Sequence, residues 1–130
     1  MAELHPFIQE HFSVNNIQQL SGGDINEVYL INDATVVKLN RSDDFPQMFK
    51  EEAKGLSLLS QHFKTPTVHQ IQSNEKWQLL AMEFIQQSVE NSPFWIDFGQ
   101  KLAKTHQISQ NNFGLDSDNF IGSLHQSNHQ

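Results

Sequence analysis

From Ser42 to Phe63 the chain reads SDDFPQMFKEEAKGLSLLSQHF, an amphipathic helix with a carboxylate on its apolar side. At about 100° per residue, Phe45, Met48, Phe49, Ala53, Leu56, Leu59 and Phe63 fall on one broad stripe. Glu52 lies inside that stripe and Glu51 on the opposite side. A stripe of this width packs on another layer of structure. An unpaired buried carboxylate is strongly disfavoured, so Glu52 needs either a cationic partner or a route to solvent at the stripe's edge.

The flanking segments supply that layer. Ile17–Leu20 and Glu27–Ile31 read as strands around the break Ser21-Gly22-Gly23-Asp24. Asn32-Asp33 signals a tight turn, and Thr35–Asn40, TVVKLN, is β-branched and strand-like. After the helix, stopped by Thr65-Pro66-Thr67, the pieces VHQIQ and WQLLAMEF form a second hairpin around Ser73-Asn74. His5 to Phe12 reads as a short helix. Asp44 is the expected N-cap of the central helix, with Gln47 completing a capping box. Ser92-Pro93 is the expected start of a last helix with Trp95, Phe98, Leu102 and His106 on one face. The stretch NNFGLDSDNFIGSLHQSNHQ reads mostly as loop. Strands, helix, strands, helix is an α+β order: a mainly antiparallel five-stranded sheet with one packed helix, over 1–85, then a helix and loop over 86–130.

Composition narrows the partners. Ten Phe and 37% hydrophobic residues in 130 suffice for a core. Eight basic against fifteen acidic residues give a net charge of -7, a poor match for nucleic acid or an anionic membrane. There is no Cys, hence no disulfide framework or thiolate metal site, and a cytoplasmic setting is the default expectation. The start MAELHPFIQEHF is neither a signal peptide nor a membrane span.

A second misplaced charge answers the first. Lys38 sits between Val37 and Leu39 and shares its strand face with Val36. By itself it reads as the solvent side of a half-exposed sheet. With the helix packed on that sheet, Lys38 and Glu52 can neutralise each other. Partly buried pairs of this kind add little net stability, so they tend to persist for function. A strand lysine held by a helix glutamate is how protein kinases grip the α- and β-phosphates of ATP.

SGGDIN, VVKLN, MFKEEAKGLSLL, LAMEFI, GQKLAKTH and FGLDSDNFIGSLHQSN, in this order, resemble the fructosamine kinase (ketosamine-3-kinase) family, within the aminoglycoside phosphotransferase and protein-kinase-like superfamily. The resemblance implies ATP and Mg²⁺ as cofactors and a fructosamine, ribulosamine or glycated lysine as acceptor. It implies a phosphate-covering turn at Gly22, Gly23, Asp24 and Ile25, which departs from the G-x-G-x-x-G of typical protein kinases. It makes Lys38 the phosphate lysine and Glu52 its partner. Met82 would back the adenine pocket, and Glu83, Phe84 and Ile85 would form the hinge, read through the Glu83 carbonyl and the Ile85 N–H. Val37, Ala81, Met82 and Ile25 are the expected apolar walls.

Other chemistry is thin. His106, at the end of an apolar face, reads as a core histidine. Asp116 and Asp118 read as solvated turn residues. Asp97-Phe98-Gly99 lies inside a helical pattern and is a coincidental kinase-like triplet. The H-R-D- or H-G-D-type loop and the metal-binding segment that phosphoryl transfer requires do not occur, so no catalytic or metal residue is assigned. The expectation is a nucleotide-binding N-lobe, inactive alone, that exposes apolar surface near Trp95, Phe98, Phe113 and Phe120 and self-associates. The competing readings are an aminoglycoside- or choline-type phosphotransferase and a non-catalytic scaffold, which would have no need of both charges.

Overall fold

The computed structural model describes residues 3–21 and 23–128. Five strands form one antiparallel sheet: β1 (Ile17–Leu20), β2 (Glu27–Ile31), β3 (Thr35–Arg41), β4 (Val68–Ser73) and β5 (Trp77–Glu83), in the order β1-β2-β3-β5-β4. Three helices, α1 (Pro6–Gln9), α2 (Met48–Leu59) and α3 (Ser92–Thr105), complete the expected α+β pattern. The β2–β3 connection turns through Asn32 and Asp33, both at positive φ, the backbone that Asn and Asp tolerate better than other side chains. The Asn32 side chain then accepts from the Asn15 N–H and donates to the Ser13 carbonyl, fixing the segment that leads into β1.

The sheet is apolar on both faces. Alternation along β3 sends Val37 and Leu39 one way, where they pack with Tyr29, Ile31, Leu79 and Ala81 beneath Phe7 and Ile8 of α1. It sends Val36, Lys38 and Asn40 the other way, opposite Met82, Leu80 and Gln78 of β5. On that second face α2 seats Phe49, with no exposed surface, against Leu80 and Met82; Met48 and Leu56 flank it.

Both expected helix starts shift. Asp44 is not the cap of α2: the chain turns through Ser42–Gln47, and Gln47, at φ 66°, precedes the first helical residue without a side-chain cap. Pro46 disfavours helical geometry at Phe45, and Arg41 draws Asp43 into a two-bond contact instead (2.9 and 2.5 Å). Asn91, not Ser92, caps α3, accepting from the Phe94 N–H at 2.9 Å.

The largest correction concerns the tail. Beyond α3 the chain forms a small antiparallel hairpin, β6 (Asn119–Ile121) and β7 (Leu124–Gln126), where a loop was expected. Gly122, at φ 58°, opens its two-residue turn with Ser123. α3 itself buries none of its residues, so His106 ends it as an exposed cap rather than a core histidine. Phe113 is left 87% exposed as expected, whereas Phe120 is half-buried against Phe45. No helix among the described residues is long and apolar enough to cross a membrane.

Phe49 is the one fully buried side chain that α2 offers the sheet. Phe49→Ala should cost about 3–5 kcal/mol in urea unfolding, the usual range for emptying a buried Phe site. Phe113→Ala, at an exposed position, should stay within about 0.5 kcal/mol of wild type.

Candidate functional site

β3 and α2 bring the two misplaced charges together. Lys38 Nζ lies 2.5 Å from Glu52 Oε1, and each side chain keeps 26% of its surface exposed. The pair is therefore neither sealed in the core nor free in solvent. Partial desolvation keeps the attraction strong, and the open side of the lysine leaves donors for a further anion.

The turn between β1 and β2 closes on the same place. Gly22 lies outside the described residues; Gly23 and Asp24 are exposed and Ile25 is half-buried. Ile25 and Asn26 face Met48, Glu52, Gly55 and Leu56 of α2 across a cavity of about 440 Å³, bounded on its far side by Asn119, Phe120 and Gly122. Asn26 is tied down from the sheet: its Oδ1 accepts from Asn40 Nδ2 at 2.8 Å. Asn40 and its cross-strand neighbour Gln78 are each only 4% exposed. Gln78 Nε2 donates to the Phe45 carbonyl at 2.6 Å and anchors the approach to α2. These two buried amides escaped the sequence reading. Their signal was present, since Asn40 follows Lys38 at i+2 and continues the same polar stripe on an otherwise apolar face.

At the other end of the sheet, Met82 shares the Lys38 face through its pairing with Val36. Val37 and Ala81, expected as walls beside it, point to the opposite layer and belong to the α1 core; the strand's period of two puts Val36 on the Lys38 face instead. Glu83 ends β5 in a pair of hydrogen bonds with Thr67: its N–H donates to the Thr67 carbonyl at 2.8 Å, and its carboxylate accepts the Thr67 N–H at 3.1 Å. That Thr67 N–H holds the Glu83 carboxyl below the usual glutamate value. Phe84 donates its N–H to the Ala34 carbonyl at 2.9 Å. Ile85 is exposed, and its N–H meets no acceptor among the described residues. Lys38, Glu52 and Ile25 thus converge, Met82 lies on their face, and Glu83, Phe84 and Ile85 form the strand exit beyond it.

Glu51, opposite the apolar stripe, is not free in solvent. Ser117 Oγ donates to its Oε2 at 2.6 Å and Lys54 Nζ to its Oε1 at 2.9 Å. Asp118 accepts the Asn128 N–H at 2.9 Å, and Asp116 Oδ1 lies 3.3 Å from the Ser117 hydroxyl oxygen. Among the described residues no three potential metal ligands converge.

The Ser117 hydroxyl, then Lys54, lower the Glu51 pKa below its ordinary 4.5, while desolvation and Asp116 oppose them. A lowered native value stabilises the fold above the unfolded pKa, and that increment disappears as pH falls through the native one. Ser117→Ala should move the Glu51 midpoint up toward 4.5 in a carboxyl ¹³C NMR titration. The stability gap between wild type and variant should be largest near neutral pH and close in strong acid.

Comparison with known proteins gives this geometry its relatives. The fructosamine kinase family model matches residues 2–130. The chain is 34% identical over 127 residues to a probable ketoamine kinase of Vibrio parahaemolyticus, covering 90% of this chain and 43% of that protein. It is 36% identical over 116 residues to a probable ketoamine kinase of Vibrio vulnificus, covering 84% and 40% respectively. The chain therefore spans less than half the length of these curated relatives. Among solved structures, one from Haemophilus somnus named as a putative fructosamine-3-kinase superposes with a TM-score of 0.81 at 30% identity, over 91% of this chain and 42% of that one. The APH(2″)-IIa ternary complex with streptomycin and ATP shares the fold, at a TM-score of 0.58 and 19% identity, over 85% of this chain and 43% of that one.

Proposed function

The chain belongs to the fructosamine kinase family, and from that membership we propose that it is the nucleotide-gripping N-terminal part of an ATP-dependent ketoamine kinase. The observation that carries the reading is the 2.5 Å contact of Lys38 with Glu52, formed beside the turn that holds Ile25 and Asn26. Residues 1–85 form the nucleotide lobe. Residues 86–130 lead away from it toward the acceptor-binding part of a protein of the relatives' length.

The residues present fit a nucleotide. Lys38 would donate to the α- and β-phosphates, and Glu52 would keep it aimed. Backbone N–H groups from Gly23 to Ile25 would approach phosphate oxygens where the glycine leaves room. The Glu83 carbonyl and the unpartnered Ile85 N–H read the adenine edge, with Val36 and Met82 beside the ring. ATP supplies the phosphoryl group, and Mg²⁺ neutralises its charge when bound. The metal ligands and the carboxylate that accepts the sugar hydroxyl's proton belong to the portion of the relatives' length that this chain does not cover. The acceptor class is a ketoamine such as fructosamine or ribulosamine, free or as a glycated lysine. The chain by itself holds Mg-ATP weakly and transfers nothing.

Titration with Mg-ATP should move the amide resonances of Gly23–Asn26 and Glu83–Ile85, and Lys38→Ala should abolish the response. A polypeptide of the relatives' full length carrying this chain should consume ATP with a fructosamine. No consumption there would favour the scaffold reading, and consumption only with an aminoglycoside would move the acceptor class.

The apolar face of α3 carries a second expectation. Phe94, Trp95 and Phe98 cluster with ring centroids 5.0–6.2 Å apart, and Phe98 touches Phe63 at 5.5 Å, yet Trp95 stays 55% exposed. Contiguous exposed aromatics of this kind favour association. Light scattering should show a concentration-dependent rise in mass, reduced by Trp95→Ser; a concentration-independent monomer would contradict it.

A further inference from the structure

Ser117, just ahead of the β6–β7 hairpin, lies 66 residues beyond Glu51 in sequence, yet it docks on α2. Ser117 Oγ bonds Glu51 Oε2 at 2.6 Å, while Lys54 Nζ donates both to Glu51 Oε1 and to Ser117 Oγ at 2.9 Å. The three side chains close a ring between two elements. Phe120 sets its ring edge-on to Phe45 at 5.9 Å, just ahead of the helix. The segment that presents Ser117 is itself braced. Asn128 Nδ2 donates to the Ser117 carbonyl at 2.9 Å and to Asn119 Oδ1 at 3.0 Å. Gly114, at φ 80°, lets the chain pass where a Cβ would come 3.2 Å from the Asn128 carbonyl.

On the sheet side α2 is held by Phe49, its single fully buried residue, with Met48 and Leu56 packed beside it. Neighbouring helical residues stand about 100° apart. Glu51, held from outside, is therefore a lever on Glu52, held against the sheet. We propose that Ser117 is a positioning residue: by clasping Glu51 and Lys54 it fixes the rotation of α2 and keeps Glu52 on Lys38. The placement stands on the contacts alone, whereas its consequence for phosphate binding rests on the kinase reading above.

The test uses the 130-residue chain without ligand and follows the Lys38 ammonium by ¹⁵N-edited NMR. In wild type the Glu52 contact slows exchange of its protons with water, and Glu52→Gln, as control, releases them. Ser117→Ala should speed that exchange severalfold toward the control while amide protection of β3 and β5 stays unchanged. Ser117→Thr, which keeps the hydroxyl, should restore the slow signal. Lys54→Ala, which opens the ring from the helix side, should act like Ser117→Ala and decides the matter if that variant does not fold. A Lys38 signal in both variants like that of wild type would overturn the proposal. So would its loss only together with sheet protection. A second arm compares nucleotides: Ser117→Ala should weaken Mg-ATP severalfold and leave adenosine unchanged. If wild type binds neither, the kinase reading fails, and the ligand-free signal still decides the role of Ser117.

Discussion

A lysine from the sheet and a glutamate from the helix, 2.5 Å apart, set the terms for the rest of the structure. Neither charge is tolerable on its apolar face alone. Lys38 requires that α2 cover the β3 face that carries Val36 and Asn40, and Glu52 requires that α2 lie on the strand at one height and one rotation. Phe49 supplies the depth of that packing, and the Gln78 bond to the Phe45 carbonyl fixes where the helix begins. The opposite face packs in the ordinary apolar way under α1.

The pair also organises what lies beside it. Asn40, next on the Lys38 face, reaches to Asn26 and so connects the β1–β2 turn with the strand that carries the lysine. Turn, lysine and helix are thus coupled through side chains two residues apart on one strand. Exchanging a half-buried ion pair for apolar side chains is often neutral or better for stability. Its presence here, next to an open strand exit, is what a site for an anion would require; under the kinase function proposed above, that anion would be a nucleotide phosphate.

Much of this was legible in the residues because it depended on local period. The period of two along TVVKLN and the period of 3.6 along MFKEEAKGLSLL placed Lys38 and Glu52 on facing surfaces. The strand pieces matched to within a residue or so, since β-branched runs between turn residues leave little freedom. What failed was decided over longer range. Asp44 lost its capping role because Pro46 keeps Phe45 out of the helix. Val37 was assigned to the wrong wall, although the alternation that assigned Lys38 already excluded it. The β6–β7 hairpin was read as loop because Asn, Asp and Ser around it dominate the local signal, yet Gly122-Ser123 between short apolar stretches is a two-residue turn signature. Ser117 could not be found at all from sequence, since its partner lies 66 residues away.

The most direct test separates binding from stability at the central pair. In Lys38→Met/Glu52→Leu, both charges give way to apolar side chains of similar size, so the unfolding free energy should stay within about 1 kcal/mol of wild type or rise. Isothermal titration with Mg-ATP should then register no binding in the double variant against measurable binding in wild type. A double variant that binds Mg-ATP as tightly as wild type would contradict the account, because the two charges would then serve the fold alone.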